Sequence, residues 1–531
     1  MYPKKLTRAV ICEPDYPLVR TNSGLLRGIV TEGTFIFRGV PYAAAERFCM
    51  PERFPAWEGI RDARIWGNTS PEIHTDIAHD AYNVPHFYFP QDEKCQYLNI
   101  WTQSLSPDAK RPVLVWIHGG GFSTGSGNEL FAYDGEELSR FRNVVVVSLN
   151  HRLNVLGYLD LSEYGEKYKY SGNCGNADIV FALKWLRENI AYFGGDPENV
   201  TIMGQSGGGG KVASLMQTPA ADGLYHRAII QSGILPNRPD ISQADARSFS
   251  RKLLEVLNIP PEDVDVLQKI PYYQLSRAAV IAAGSERVPA QPVVDQDYYF
   301  GSALIHGFRR ETLHIPLLVG SVLGEFSNNF NFPICDGYKN AWDREQVDQL
   351  LCGKYGQNAQ KIAAAFQTAY PERHLADCLF IDSTFRIGCR QYAQARVRAG
   401  SAAVYEWLFT LECPVDGGSL PWHNAEEAYM FHNAQYLEAT YIPQVSEHLQ
   451  DIMSTMWANF AETADPNADG LPRWHSLQEL PDCTMLFDAS VGERVGHDRA
   501  LMRLLSETYR HQPARAWERD LDLSGGPRQS V

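Results

Sequence analysis

The sequence lacks any uninterrupted apolar stretch long enough to cross a bilayer, and its first residues (MYPKKLTRAVICEPDYP) lack the apolar core of a secretion signal. Both absences predict cytoplasmic residence and no membrane span. Basic runs are missing too: the 531 residues include 48 Lys and Arg against 63 Asp and Glu, a formal net charge of −15. This negative balance argues against nucleic acid or an anionic membrane as a partner.

Metal-ligand patterns are also absent from the sequence. The ten cysteines form neither a C-x-x-C pair nor a Cys/His cluster with metal spacing. We therefore expect no metal and no other cofactor. No internal repeat and no low-complexity linker interrupts the chain.

A strand, a sharp turn and a helix are predicted around Ser206. The apolar run VTIM at 200–203 leads into Gly204-Gln205-Ser206-Gly207-Gly208, and the helix-like segment KVASLMQ follows. This is the context of a G-x-S-x-G nucleophile elbow. An ordinary turn can have the same composition, but glycines at 207–210 each cost a helix about 0.5 to 1 kcal/mol relative to alanine, so close backbone approach is the better explanation. Ser206 is the candidate nucleophile.

A second glycine cluster predicts a place for negative charge. The run VLVWI at 113–117 is typical of a buried strand, and it ends in His118-Gly119-Gly120-Gly121-Phe122. An ester attacked by a serine passes through an oxyanion, which needs hydrogen-bond donors fixed in advance. The N–H groups of Gly120, Gly121 and Gly207 are the candidate donors. The alternative is a flexible glycine hinge.

Longer motifs make the chain resemble the type-B carboxylesterases, the α/β-hydrolase family that contains cholinesterases and bacterial p-nitrobenzyl esterases. The similarity extends over nearly the whole chain. The motifs that carry it are VRTNSGLLRG, FRGVPYA, KCQYLNIW, NHRLNVLGYL, FGGDPENVTIMGQSGGG and WANFAETADPN. The resemblance implies a serine esterase that acts on small-molecule esters and has a large, mostly parallel sheet flanked by helices.

The resemblance also implies the partners of Ser206. Glu325 falls at the family's acid position, in GSVLGEF after the apolar run 315–319, and His423, in PWHNAE, matches the family histidine. The family usually has glycine at the place of Asn424. Because the base must be neutral, we expect activity to fall as the pH drops through the histidine's pKa, ordinarily near 6.5. Ser232 and Glu426 are expected to form a polar network that buttresses the histidine.

The resemblance identifies scaffold residues as well. Arg152 with Asp178, and Arg47 with Glu93, are expected to form structural ion pairs. Secreted relatives bridge the cysteine of KCQYLNIW to an earlier one, but Ser70 stands in that place here. Cys95 is therefore predicted to be a reduced, buried thiol.

Length alone permits two or three domains, but the candidate triad spans residues 206 to 423 and each member follows its own strand. We therefore predict one α/β-hydrolase domain over 1–531, with helical excursions at about 235–310 and 335–400 and a loosely held tail at about 510–531. A helix is predicted over 176–193, because apolar residues recur on one face and two glycines follow.

The sequence indicates the preferred substrate less clearly than it indicates the site residues. Aromatic residues at 82–89 and 326–332 predict either an apolar pocket or simple packing beneath loops. No tryptophan lies between Trp66 and Trp101, and Gln205 replaces the family's usual glutamate, so a choline ester is disfavoured. We expect apolar esters with short to medium acyl chains. Two alternatives remain open: a serine peptidase or amidase of the same fold, and a catalytically silent adhesion relative. Both monomer and homo-oligomer remain open.

Overall fold

The computed structural model describes residues 9–73, 86–236, 238–326 and 338–510. Numbered in chain order through these residues, the strands have the following bounds: β1 Val10–Ile11, β2 Leu18–Arg20, β3 Leu25–Arg27, β4 Ile29–Thr31, β5 Thr34–Pro41, β6 Ala43–Ala44, β7 Glu52–Arg53, β8 Ile60–Asp62, β9 Tyr97–Thr102, β10 Arg111–Ile117, β11 Val145–Leu149, β12 Gly195–Gln205, β13 Arg227–Gln231, β14 Ile241–Ser242, β15 Val293–Val294, β16 Leu317–Val322, β17 Val404–Phe409, β18 Cys483–Phe487 and β19 Gly492–Val495.

The α-helices, numbered in the same way, are α1 Glu136–Arg142, α2 Asn154–Tyr158, α3 Cys174–Asn189, α4 Gly207–Leu215, α5 Gln243–Leu257, α6 Tyr272–Ala283, α7 Ala303–His306, α8 Arg344–Tyr355, α9 Ala359–Ala369, α10 Phe385–Arg398, α11 Glu427–Met430, α12 Val445–Thr463 and α13 Arg499–Arg510.

Twelve of these strands form one sheet in the order β1-β4-β5-β9-β11-β10-β12-β13-β16-β17-β18-β19. The strands from β11 to β18 pair in parallel, whereas the pairs at both edges are antiparallel. The predicted large, mostly parallel sheet is confirmed. Its strands extend from Val10 to Val495, which supports our proposal that the chain forms one catalytic domain.

Helices cover both faces of the sheet, which explains why its central strands are apolar throughout. Along β10, Val113, Val115 and Ile117 contact the core that contains α3. Leu114 and Trp116 point to the opposite face, where they join the core that contains α12. A strand buried on both faces needs apolar residues at every position rather than at alternate ones.

The helix predicted over 176–193 is present with slightly different bounds. It is α3, continued by a 3₁₀ turn at Ile190–Phe193. Gly194 ends it with a φ of 73°, a left-handed conformation that glycine adopts without strain.

The strands that lead to the candidate site residues belong to one stretch of the sheet, β10-β12-β13-β16-β17. β10 precedes the glycine loop, β12 precedes Ser206, β16 precedes Glu325 and β17 precedes the segment with His423. Because these strands are parallel, their carboxyl ends meet at one edge of the sheet.

The predicted excursions contain α5 to α7 in the first and α8 to α10 in the second. The predicted tail beyond residue 510 lies outside the described residues. Among the helices that the structure does describe, none is long and apolar enough to span a membrane.

Candidate active site

Ser206 occupies the single residue between β12 and α4. Its backbone has φ 55° and ψ −125°, a conformation that a residue with a side chain adopts only under strain. The Ser206 N–H donates to the carbonyl of Gln231, 2.8 Å away on the neighbouring strand β13, and this bond fixes the turn. The backbone has the sharp strand-to-helix turn of a nucleophile elbow.

The glycines around Ser206 are required by close backbone packing. A Cβ on Gly208 would lie 1.9 Å from the carbonyl oxygen of Ile117, and one on Gly204 would lie 2.5 Å from the carbonyl carbon of Gly208. A Cβ on Gly207 would lie 2.4 Å from the backbone nitrogen of Gly121. These contacts bring the elbow directly against the 118–122 loop.

The candidate oxyanion donors lie where the elbow meets the 118–122 loop. Gly120 and Gly121 have φ angles of 76° and 61°, which expose successive peptide groups. In the described part of the chain, the N–H groups of Gly120, Gly121 and Gly207 donate no hydrogen bond to the protein. Three amides that lack protein acceptors beside a serine suit an anion.

Glu325 and His423 are in direct contact. Their side chains meet through Oε2 of Glu325 and Nδ1 of His423, and both residues are buried. Backbone contacts join the two segments, because the His423 N–H donates to the Glu325 carbonyl at 2.6 Å and the Gly324 N–H to that of Pro421 at 3.1 Å. Thus two residues 98 positions apart form one hydrogen-bonded unit.

The other carboxylate oxygen of Glu325, Oε1, accepts two further hydrogen bonds. Ser232 Oγ donates to Oε1 at 2.6 Å, and the Val322 N–H donates to the same atom at 3.0 Å. Ser232 follows β13, the strand beside the Ser206 elbow. Both donors favour the charged carboxylate, whereas burial raises its pKa.

The polar residues expected to buttress the histidine reach it indirectly. Ser232 binds the acid rather than the imidazole, and the Glu426 carboxylate accepts from Gln231 Nε2 at 3.0 Å. Glu426 acts on His423 through space, because its negative charge favours the imidazolium. Asn424 has a φ of 78°, so it does adopt the left-handed backbone that replacement of glycine requires.

Aromatic rings surround the imidazole of His423. Phe326 stacks on it with a centroid separation of 4.4 Å, and Phe385 lies at 5.1 Å. This burial lowers the pKa of His423 to about 4, against the opposing charges of Glu426 and Asp382. We therefore expect the acid limb of the activity below pH 6.5.

Comparison with known proteins decides the family. The profile of the Carboxylesterase family matches residues 15–499. The chain belongs to this family. It is a carboxylesterase with the α/β-hydrolase fold, as the sequence predicted.

Curated relatives of this carboxylesterase are similar in length. Para-nitrobenzyl esterase from Bacillus subtilis is 30% identical over 492 residues, which is 90% of this chain and 96% of the relative. Phenmedipham hydrolase from Pseudarthrobacter oxydans is also 30% identical, over 91% of this chain and 97% of its own.

Solved structures give the same result. An esterase from anaerobic Clostridium hathewayi, described as able to hydrolyze aliphatic aromatic polyesters, superposes with a TM-score of 0.89 at 40% identity, covering 94% of this chain and all of that one. A thermophilic PNB esterase superposes with a TM-score of 0.72 at 29% identity, covering 92% of this chain and 99% of its own.

The scaffold pairs of this carboxylesterase form as predicted. Arg152 Nη2 lies 2.7 Å from Asp178 Oδ1 and both side chains are buried, while Arg47 Nε lies 2.7 Å from Glu93 Oε2. Cys95 is a buried free thiol, and burial raises its pKa.

Of the predicted aromatic stretches, residues 82–85 and 327–332 lie outside the described residues. Phe326 lies on the imidazole.

Two buried charged residues near the site were not predicted. Asp382 accepts a hydrogen bond from the Arg386 N–H near the start of α10. Its negative charge partly opposes the lowering of the pKa of His423. Lys211 lies in α4, five positions after Ser206. The sequence offered one weak signal for Lys211, a lone charge inside the otherwise small and apolar segment GGGGKVASL. For Asp382 it offered none.

Proposed function

We propose that this carboxylesterase is a serine ester hydrolase that works through an acyl-enzyme on Ser206. His423 is the general base and then the general acid, and Glu325 is the orienting acid. The observation that carries the proposal is the buried Glu325–His423 contact, at the same edge of the sheet as the strained Ser206. Beside Ser206, the N–H groups of Gly120, Gly121 and Gly207 donate to no protein acceptor within the described residues.

In the first half-reaction, Nε2 of His423 takes the Ser206 hydroxyl proton while Oγ bonds to the ester carbon. The carbonyl electron pair moves to oxygen, where the N–H groups of Gly120, Gly121 and Gly207 stabilise it. Collapse of this intermediate breaks the bond to the alcohol, which leaves with the proton from His423. Water then repeats these steps on the acyl-enzyme and releases the acid.

A small cavity beside the elbow supports a short acyl group. Its volume is about 100 Å³, and its lining includes Phe122, which follows the oxyanion loop, and Gly210 and Gly233. None of its lining comes from the described segments that carry Glu325 and His423. Since the histidine protonates the alcohol, we place the alcohol on the side of His423 and the acyl group towards this cavity.

We expect p-nitrophenyl acetate and butyrate to be hydrolysed faster than the octanoate, because Ile234, Tyr299 and Tyr392 close the cavity around a short chain. The measurement is kcat/KM for the three esters, with a matched p-nitroanilide to distinguish esterase from amidase activity. Fastest turnover on octanoate would contradict the acyl assignment, while faster anilide cleavage would favour the amidase alternative.

A substitution in the cavity lining tests the same placement of the acyl group. Ile234→Ala removes a buried wall and should shift the optimum towards longer chains. Ile65→Ala is the matched control, because Ile65 is 74% exposed and is not part of the cavity lining. An unchanged chain-length profile in Ile234→Ala would place the acyl group elsewhere.

The pH dependence follows from the burial of His423. The base must be neutral, and a lowered pKa keeps it neutral to lower pH, so we expect kcat/KM to lose half its value near pH 4 rather than pH 6.5. Initial rates should be recorded with tryptophan fluorescence to establish that the enzyme stays folded. A midpoint of 6.5 or above in folded enzyme would show that burial does not set this pKa.

A further inference from the structure

Lys211 is a buried cation directly behind the glycine loop. Its side chain is fully inaccessible, yet it makes no ion pair with any carboxylate in the described part of the chain. Its ammonium instead donates to two backbone carbonyls, that of His118 at 2.9 Å and that of Gly119 at 3.4 Å. A buried charge without a close counter-ion is costly, which points to a role beyond packing.

The geometry of the peptide bond connects these contacts to the site. In a trans peptide, the carbonyl of one residue and the N–H of the next point in opposite directions in one plane. The Gly119 carbonyl is bound by the Lys211 ammonium and, at 3.0 Å, by Nδ1 of His118, so the Gly120 N–H must point away from the ammonium. That N–H is one of the three that lack a protein acceptor in the described residues.

The next peptide is fixed in the same way. The Gly120 carbonyl accepts from the N–H of Ser123 at 3.2 Å and that of Thr124 at 3.0 Å. Its rotation is therefore prevented, and the Gly121 N–H points the opposite way. Because hydrogen bonds hold the carbonyls of Gly119 and Gly120, the N–H groups of Gly120 and Gly121 are left facing the same place.

We propose that Lys211 is a positioning residue of the oxyanion hole, which aims the Gly120 N–H by binding the carbonyl on the other side of the same peptide. The proposal rests on the function proposed for Ser206. The ammonium also places a positive charge behind the amides, where low polarity strengthens its attraction for an oxyanion.

The groups that face Lys211 determine when it carries this charge. Burial lowers its pKa to about 7, and Glu129 opposes that shift. His118 and His151 also face it, and burial holds their own pKa values well below the usual range, so both are neutral. The charge of Lys211 is therefore present at acid pH and is lost as the pH rises through about 7.

The test compares Lys211→Met with wild type on p-nitrophenyl butyrate. We expect kcat to fall by about 10- to 100-fold with KM within twofold, because the loop still binds the ester but its amides are less well aimed at the oxyanion. Affinity for a short alkyl trifluoromethyl ketone, which forms an oxyanion on the nucleophilic serine, should fall by the same factor. The kcat ratio of wild type to variant should be larger at acid pH than at alkaline pH.

Lys184→Met is the matched control, because Lys184 is an exposed lysine on the adjacent helix α3. A folded Lys211→Met enzyme with kcat within twofold of wild type overturns the proposal, as does a loss confined to KM. Should that variant not fold, Lys211→Leu carries the test, since it also removes both the donor and the charge. A loss of kcat at constant KM in Lys211→Leu supports the proposal, and unchanged kcat overturns it.

The outcome is separable from the proposed function. If Ser206→Ala abolishes activity while Lys211→Met behaves as wild type, only the inference about Lys211 fails. If Ser206→Ala remains active, the nucleophile itself is wrongly assigned.

Discussion

Replacing Ser206 with alanine is expected to reduce kcat for p-nitrophenyl butyrate by about 10⁴- to 10⁶-fold, because the proposed mechanism forms the acyl-enzyme on its hydroxyl. The substitution removes one hydroxyl and leaves the close glycine contacts around the elbow unchanged. The variant should therefore unfold at the same temperature as wild type. A fluorophosphonate should label the wild-type protein at Ser206 and fail to label the variant.

Ser490→Ala is the matched control, since Ser490 is exposed in the segment between β18 and β19. It should retain full activity and full labelling. More than about 1% of wild-type activity in purified Ser206→Ala, well above the residual rate of a triad knockout, would mean that another residue is the nucleophile.

Replacing Glu325 with glutamine is expected to lower kcat by about 10³- to 10⁴-fold while leaving the fold intact. The structure determines which way the new amide must face. The Val322 N–H, 3.0 Å from Oε1, can only donate, so it requires the amide oxygen on its side. The amide nitrogen must then face Nδ1 of His423.

This orientation disables the base. A donor opposite Nδ1 forces the imidazole into the tautomer with its proton on Nε2, and that atom can no longer accept the serine proton. The loss should therefore appear in kcat for ester hydrolysis and in the rate of fluorophosphonate labelling, with little change in unfolding temperature.

Glu438→Gln is a suitable control because Glu438 is an exposed carboxylate outside the site. If Glu325→Gln retained activity within tenfold of wild type, the carboxylate would not orient the imidazole. Loss of soluble protein would instead indicate that Glu325 acts mainly in folding, through the segments joined by Glu325 and His423.

Much of the site was predictable because its requirements are local. Four successive glycines after Ser206, and three after His118, are costly unless the backbone needs them. The structure shows that need at Gly207 and Gly208, where an added Cβ would meet backbone of the other segment. The strand and helix around Ser206 follow from apolar runs, which is why their predicted positions were close to β12 and α4.

The positions of Glu325 and His423 came from the family resemblance rather than from physical chemistry. A glutamate after a strand and a histidine in a loop have no local signature. Their contact spans 98 residues and depends on β16 and β17 being neighbours in the sheet. The partner of Ser232 could not be predicted for the same reason, since only the fold shows that its hydroxyl reaches the acid.

By itself, the sequence determined the elbow at Ser206 and the glycine loop at 118–122, because these depend on steric demands and on periodicity along a short stretch of chain. The fold class came from the family resemblance of its longer motifs. Tertiary structure alone decided the lowered pKa of His423, the binding of Ser232 to Glu325 and the contact of Lys211 with the loop carbonyls. Burial and hydrogen-bond partners depend on residues that are distant in the chain, and only the folded arrangement of the sheet and its helices brings those residues together.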